Sequence, residues 1–129
     1  MSFTVQKLKR RGKQPLRPEQ ELRRRLSLAL KAMLTPATFV LEADPAPADA
    51  PRAGVPELCF IHDGRAFYLT LMAPHGYLSQ LQRAAHVALR DAGARVEVAR
   101  SVPEALAHIR SFGIPLRDIP VQWIFRSAA

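Results

Sequence analysis

Apolar residues recur every three or four positions in the segment PEQELRRRLSLALKAML, and this spacing predicts a helix that begins at Pro18. Pro18 near the start and acidic residues in the first turn are typical of a helix N-terminus. Pro36 ends the pattern. The stripe expected to face the core comprises Leu22, Leu26, Ala29, Leu30 and Met33.

Two further helices are predicted from capping boxes, in which a serine side chain and a glutamine or glutamate three residues later bond each other's backbone N–H groups. Ser79 and Gln82 open the first of these helices, which runs to about residue 92. Ser101 and Glu104 open the second, which runs to residue 112. A glycine follows each helix, as is common at helix C-termini.

Short apolar runs between these segments predict strands. Residues 38–43 are β-branched and aromatic, and residues 57–62 and 65–73 flank the pair Asp63-Gly64, which favours a tight hairpin turn. Both hairpin strands are apolar at nearly every position, so we expect them to be covered on both faces. Alternation over residues 94–100 predicts a fourth strand, and VQWIF at 121–125 is interpreted as a final edge strand.

The resulting order is α-β-β-β-α-β-α with the final strand after it, which predicts an α/β fold. The strand–helix–strand unit over residues 65–99 predicts a right-handed crossover and a parallel strand beside the hairpin, hence a mixed sheet flanked by helices. Proline and alanine dominate residues 44–54, which we expect to form an exposed loop. A chain of 129 residues fits a single domain, here residues 18–129.

Composition narrows the class of protein. The chain is 48% hydrophobic and 23% charged, and it contains no apolar run of the length that spans a membrane and no apolar segment behind its basic N-terminus. We therefore expect a cytoplasmic protein with no membrane partner. Cys59 is the only cysteine and lies in an apolar run, so a packed thiol is the favoured interpretation.

The formal net charge of +8 is concentrated at one end of the chain, because residues 1–31 hold ten Lys and Arg against Glu19 and Glu21. Gly12, Pro15 and Pro18 interrupt the run from Lys7 to Pro18, so residues 1–17 are predicted to form a flexible basic arm. A basic arm that leads into a basic helix suits a nucleic acid, because neutralised phosphates release counterions. The residues expected to bind it are Lys7, Lys9, Arg10, Arg11, Lys13, Arg17, Arg23 and Arg24.

The order of these motifs over residues 18–116 resembles the VRR-NUC domain of phage and bacterial nucleases, a branch of the PD-(D/E)XK superfamily. The resemblance rests on GVPE before the hairpin, on the apolar strand that follows Asp63-Gly64, on S-x-x-Q at Ser79, and on the segment GARVEVARSVPEAL. It implies a restriction-endonuclease-like α-β-β-β-α-β core and DNA as the nucleic acid.

The family site maps onto this chain residue by residue. Glu57 stands at the Asp of the family's G-x-P-D stretch, and Gln82 is retained. Thr70 and Met72 occupy the family's E-x-K positions. The carboxylate of the first helix corresponds to Glu19, with Glu21 as the competing alignment.

These substitutions bear on the chemistry that the resemblance implies, which uses Mg²⁺ or Mn²⁺ held by hard oxygen ligands. Glu57 and Glu19 are the remaining candidate metal ligands. Thr70 offers a neutral hydroxyl, and Met72 offers a thioether that magnesium does not bind. No lysine follows Lys31 in the chain, and Lys31 lies about 18 Å along its helix from Glu19.

Three hypotheses follow. The first is a nucleic-acid-binding domain that has lost most or all of its phosphodiesterase activity. The second is a weak metal-dependent DNA endonuclease, similar to a Holliday-junction resolvase, that uses Glu57, Glu19 and the carbonyl of Leu71 with Mg²⁺ or Mn²⁺. The third is a non-catalytic interaction module, for example one that associates as a homodimer. The capping box by itself explains Gln82, and interior packing explains Thr70 and Met72.

Overall fold

A computed structural model describes residues 15–43 and 53–128 of the chain. These residues form helices α1 (Pro18–Met33), α2 (Gln80–Asp91), α3 (Val102–Ser111) and α4 (Val121–Ala128). They also form strands β1 (Thr38–Glu42), β2 (Leu58–His62), β3 (Arg65–Leu71) and β4 (Arg95–Ala99). Most of the predicted basic arm and of the predicted loop, residues 1–14 and 44–52, lies outside the described residues.

The strands form one mixed sheet in the order β1-β2-β3-β4, with two antiparallel pairings followed by a parallel pairing of β3 with β4. Asp63 and Gly64 join β2 to β3 with φ values of 52° and 72°. Both values are positive, as a type I′ hairpin turn requires. Helix α2 connects β3 to β4, so the predicted strand–helix–strand unit and mixed sheet are confirmed.

The main core lies between one face of the sheet and helices α1 and α3. The predicted stripe of α1 is buried in this core, and it meets alternate residues of β2 and β3. The rings of Phe67 and Phe112 stack there at a centroid distance of 4.8 Å. The core residues of the sheet are Leu58, Phe60, Phe67, Leu69, Leu71 and Ala99.

Helix α2 lies over the opposite face of the sheet, above β3 and β4. His86 of this helix reaches Thr70 of β3, and Arg90 Nη2 donates to the carbonyl of Val96 in β4 at 2.8 Å. Ser79 Oγ accepts the Gln82 N–H at 3.1 Å, and Gln82 Oε1 accepts the Ser79 N–H at 2.8 Å. The predicted capping box therefore opens this helix.

The capping box predicted for α3 is only half formed. Ser101 Oγ accepts the Glu104 N–H at 3.2 Å, but Glu104 Oε1 accepts the N–H of Arg100 at 2.9 Å. The glutamate side chain reaches one residue beyond the cap, and it holds the turn between β4 and α3.

The expectation that both hairpin strands are covered on both faces is wrong for β2. Ile61 is 38% exposed, and its cross-strand partner Phe39 in β1 is 63% exposed. Helix α2 lies over β3 and β4, so among the described residues no helix covers the same face of β1 and β2.

The interpretation of VQWIF as a strand is also wrong, because these residues begin α4. Val121, Ile124 and Phe125 recur at helical spacing and pack against the core, whereas Trp123 is 59% exposed. The guanidinium of Arg25 in α1 lies 4.2 Å from the centroid of the Phe125 ring. A strand would place Val121, Trp123 and Phe125 on one face, whereas a helix turns the apolar residues that pack here toward α1.

In the part of the chain that the structure describes, no helix is both long and apolar enough to cross a membrane.

Candidate functional site

Glu57 lies directly before β2, where a tight approach between two backbone segments fixes its position. Gly54 has a φ of 84°, and a Cβ atom at this residue would lie 2.4 Å from the carbonyl oxygen of Leu81 in α2. The chain can pass this close to α2 only because glycine has no side chain. Glu57 follows three residues later, and its Oε2 accepts the N–H of Leu71 at 3.1 Å. The carboxylate therefore lies beside the end of β3, next to Thr70 and Met72.

Burial raises the pKa of the Glu57 carboxyl above its ordinary value. The hydrogen bond from the Leu71 N–H opposes this rise, and so does the positive charge of Arg23. The negative charge of Glu19 adds to the rise. Glu57 is thus a half-buried carboxylate held by a backbone N–H group and influenced by one cation and one anion of α1.

The two candidate acids of α1 differ in their surroundings. Glu19 is half-buried, and its charge acts on Glu57. Glu21 pairs instead with Arg24 at 2.7 Å on the surface of the helix. Of the two alignments for the first-helix acid, the one with Glu19 puts a carboxylate within electrostatic reach of Glu57.

Thr70, at the family's glutamate position, is 1% exposed and is hydrogen-bonded to a histidine. Its Oγ1 lies 2.8 Å from Nε2 of His86, which is itself 2% exposed. The other ring nitrogen of His86, Nδ1, is buried without a hydrogen-bond partner. Burial lowers the pKa of His86, the charge of Arg90 lowers it further, and Glu97 opposes the change.

Sequence reasoning did not assign His86 to this site. Thr70 and His86 are sixteen residues apart on different elements. The spacing of His86 four residues after Gln82 was the available signal, because it places both side chains on one face of α2.

Met72, at the family's lysine position, is buried at 8% exposure. Its backbone N–H donates to the carbonyl of Ala99 at 3.0 Å, which continues the pairing of β3 with β4. Its side chain packs under the following turn, since a Cβ atom on Gly76 would lie 3.0 Å from Met72 Sδ. The thioether thus fills the space below the loop that joins β3 to α2.

The donor atoms at this position do not fit a tightly held Mg²⁺ or Mn²⁺ ion. One oxygen of Glu57 is engaged by the Leu71 N–H, the Thr70 hydroxyl is engaged by His86, and Met72 contributes sulfur. Across residues 15–43 and 53–128, no three His, Cys, Asp or Glu side chains form a group that could hold a metal ion. Glu57 and Glu19 remain the predicted ligands of any weakly bound cation.

The predicted basic residues that the structure describes lie on or next to α1. Arg17 is exposed directly before the helix, and Arg24 is exposed within its ion pair with Glu21. Arg23 and Arg24 line a surface groove between α1 and β1, together with Lys31 and Glu42. The other predicted contacts, Lys7, Lys9, Arg10, Arg11 and Lys13, lie outside the described residues.

Comparison with known proteins gives one informative match. No family model matches the sequence, and no curated protein matches it. A solved structure described as a VRR_NUC domain superimposes with a TM-score of 0.58 at 17% sequence identity. The match covers 75% of this chain and 99% of that chain. The chain therefore has the VRR-NUC fold, which confirms the resemblance and the restriction-endonuclease-like α/β core, while so low an identity establishes the fold alone.

Proposed function

We propose that this chain is a DNA-binding domain of VRR-NUC fold whose phosphodiesterase activity is lost or strongly reduced. The observation that carries the proposal is the chemistry and burial of Thr70 and Met72, which stand at the family's E-x-K positions. Both side chains are neutral and buried, and both are engaged by neighbours in the folded chain. A divalent cation would have to replace the Thr70–His86 hydrogen bond and would find no carboxylate at either position.

The surroundings of the Glu57 carboxylate support the same conclusion. Divalent cations such as Mg²⁺ and Mn²⁺ need several free oxygen ligands, but one carboxylate oxygen of Glu57 already accepts the Leu71 N–H at 3.1 Å. Burial raises the pKa of this carboxyl above its ordinary value. Arg23 supplies positive charge close to this carboxylate. The cation that acts on Glu57 is thus part of α1, and an arginine, unlike a metal ion, does not bind a water molecule and activate it for attack on a phosphate.

The proposal that DNA is bound rests on the placement of positive charge. Arg17 directly precedes α1, and Arg23 and Arg24 lie within this helix. The five further predicted basic contacts precede Arg17 in the sequence. Contacts to phosphates position a duplex without reading its sequence, so the expected binding is strong at low salt and independent of sequence.

Fluorescence anisotropy with a labelled DNA junction and a labelled duplex tests the binding proposal. We expect affinity to fall steeply with salt, and the double variant Arg17→Gln/Arg24→Gln to reduce the slope of log K against log[salt] by about 2. The matched control is Arg65→Gln/Arg110→Gln, which removes two exposed arginines from the hairpin turn and the C-terminal end of α3. Equal losses in both double variants, or affinity that does not change with salt, would contradict the proposed surface.

A further inference from the structure

A groove runs between helix α1 and the edge strand β1, on the face of the sheet that carries the main core. It consists of two adjoining cavities of about 360 and 510 Å³, which share Ser27, Lys31 and Glu42 in their lining. We call these two cavities together the α1–β1 groove. Spaces of this size are large enough to take up the side chains of a ligand.

The outer edge of β1 places backbone hydrogen-bonding groups along this groove. The N–H of Ala43 donates to the carbonyl of Glu57 at 2.8 Å and continues the pairing of β1 with β2. Because hydrogen bonding alternates along an antiparallel ladder, Val40 and Glu42 turn their N–H and C=O groups away from β2. Among the described residues, no strand pairs with this outer edge. The backbone of Val40 and Glu42 is thus open to pairing, and their side chains line the groove.

One end of the groove is apolar and the other is positively charged. The apolar end lies where α1 leads into β1, and it is lined by Leu30, Leu34 and Val40. The charged end lies toward the start of α1, and its cations are Arg23, Arg24 and Lys31. Among the described residues of the lining, the one acid is Glu42, and its Oε1 accepts the Ser27 hydroxyl at 3.0 Å. The charged end therefore has a net positive charge.

Lys31 is the cation that matters most for a ligand of this groove. Arg24 shares its charge with Glu21 at 2.7 Å. Lys31 is exposed, and it lines both cavities, so it lies where the apolar end meets the charged end. A negative group of a ligand would be attracted to this position, while apolar parts of the same ligand would contact the leucines beside it.

We propose that the α1–β1 groove binds an acidic, extended peptide segment of a protein partner, which pairs as an added strand with the outer edge of β1. The added strand satisfies the N–H and C=O groups of Val40 and Glu42. Every second side chain of a strand points to the same face. An apolar residue of the peptide therefore enters the apolar end, and an acidic residue two positions away reaches Lys31.

The open backbone edge favours a peptide over a nucleic acid as the occupant. Positive charge alone suits either ligand. The edge of β1, however, presents N–H donors and C=O acceptors in alternation, and a second peptide backbone matches both, whereas a phosphodiester backbone offers acceptors only. The inference does not depend on the proposed binding of DNA, because it rests on the β1 edge and on Lys31, and neither is among the predicted DNA contacts.

Selection from a phage-displayed library of random twelve-residue peptides tests the specificity of the groove. We expect the selected peptides to share an apolar and an acidic residue separated by one position, and to bind Lys31→Glu about fivefold more weakly than the wild-type chain. Arg110→Glu is the matched control, because it makes the same change of charge at an exposed position of α3. The absence of any enriched sequence, a basic consensus, or equal weakening by the two variants would overturn the proposal.

Hydrogen exchange followed by NMR shows where a selected peptide binds. A saturating peptide should slow exchange of the Val40 and Glu42 amides by about tenfold or more, whereas the Phe39 and Leu41 amides, which face β2, should change much less. Slowing at Val40 and Glu42 that grows with protein concentration without peptide would assign the edge to a second copy. Equal slowing by a single-stranded oligonucleotide would assign the groove to a nucleic acid. Either result, or no slowing at these two amides, would contradict the proposed strand addition.

Discussion

The pair formed by Thr70 and His86 illustrates how single residues change the character of the site. Thr70 places a hydroxyl at the position where the family has a glutamate. This hydroxyl is hydrogen-bonded to His86 of α2 at 2.8 Å. The histidine is 2% exposed, and burial lowers its pKa, which favours the neutral form. The Thr70 hydroxyl and Nε2 of His86 thus satisfy each other where a carboxylate would require a cation, while Nδ1 of His86 stays buried without a hydrogen-bond partner.

This pair makes the stability of the chain sensitive to mild acid. The pKa of His86 is lower in the folded chain than its ordinary value of 6.5, so the unfolded chain binds the proton first as the pH falls. The contribution of His86 is therefore fully present above pH 6.5 and is lost as the pH drops below that value. We expect the free energy of unfolding to fall there by at most about 1.4 kcal/mol per pH unit for this one proton.

Urea unfolding of His86→Gln between pH 7.5 and pH 5 checks this prediction, since glutamine retains a polar partner for Thr70 but does not titrate. Between these pH values the free energy of unfolding should fall less for His86→Gln than for the wild-type chain. For His75→Gln, at an exposed position, it should fall as much as for the wild-type chain. A decline of the same size in His86→Gln would mean that other groups cause the acid sensitivity.

Restoring only the lysine should harm the fold. Met72→Lys places an ammonium group at a position that is 8% exposed, one residue after the backbone N–H that already binds Glu57. We expect a loss of about 2 to 4 kcal/mol in the free energy of unfolding, because a buried charge without a good partner is costly. Met72→Leu should change stability by less than about 1.5 kcal/mol. Equal stability of the two variants in urea would show that the position is more open to water than its burial implies.

At the scale of elements, local signals in the sequence predicted most of the fold. The α1 stripe, the Asp63-Gly64 turn and the cap at Ser79 all depend on residues close together in the sequence, so they could be predicted without tertiary information. The last element, α4, could not be predicted in this way. VQWIF is five residues long, a length at which helical and strand patterns overlap, and contact with α1 decided the outcome. The open face of β2 was missed because it depends on how far α2 extends across the sheet.

The junction between β2 and α2 offers a test of packing at this scale. Gly54→Ala adds a Cβ atom 2.4 Å from the Leu81 carbonyl oxygen and forces alanine into a positive φ, so we expect more than about 2 kcal/mol of destabilisation. Gly64→Ala is the matched control, with a φ of 72° and no atom within 4 Å of its added Cβ. We expect that variant to lose only about 1 kcal/mol, which is the cost of the backbone conformation alone. A difference below the error of urea titration would show that the Gly54 backbone is not held against α2.

At the scale of the whole molecule, the fold places Glu57 beside the end of β3 and within electrostatic reach of Glu19. It surrounds the E-x-K positions with side chains that suit a packed core. The resemblance located the positions because strand order and motif spacing are properties of the sequence. The partner of Thr70 could not be located in this way, since it depends on the docking of α2 over β3.

The central claim is that this frame does not support metal-dependent hydrolysis of DNA. Single-turnover incubation of a labelled DNA junction with excess protein and Mn²⁺ tests it most directly, with Glu57→Ala measured in parallel. We predict that the wild-type chain binds the junction but does not cut it. The amount of cleaved DNA should be the same low background with the wild-type chain and with Glu57→Ala. Cleavage by the wild-type chain that disappears in Glu57→Ala would contradict the account, because it would show that Glu57 still serves a working metal site.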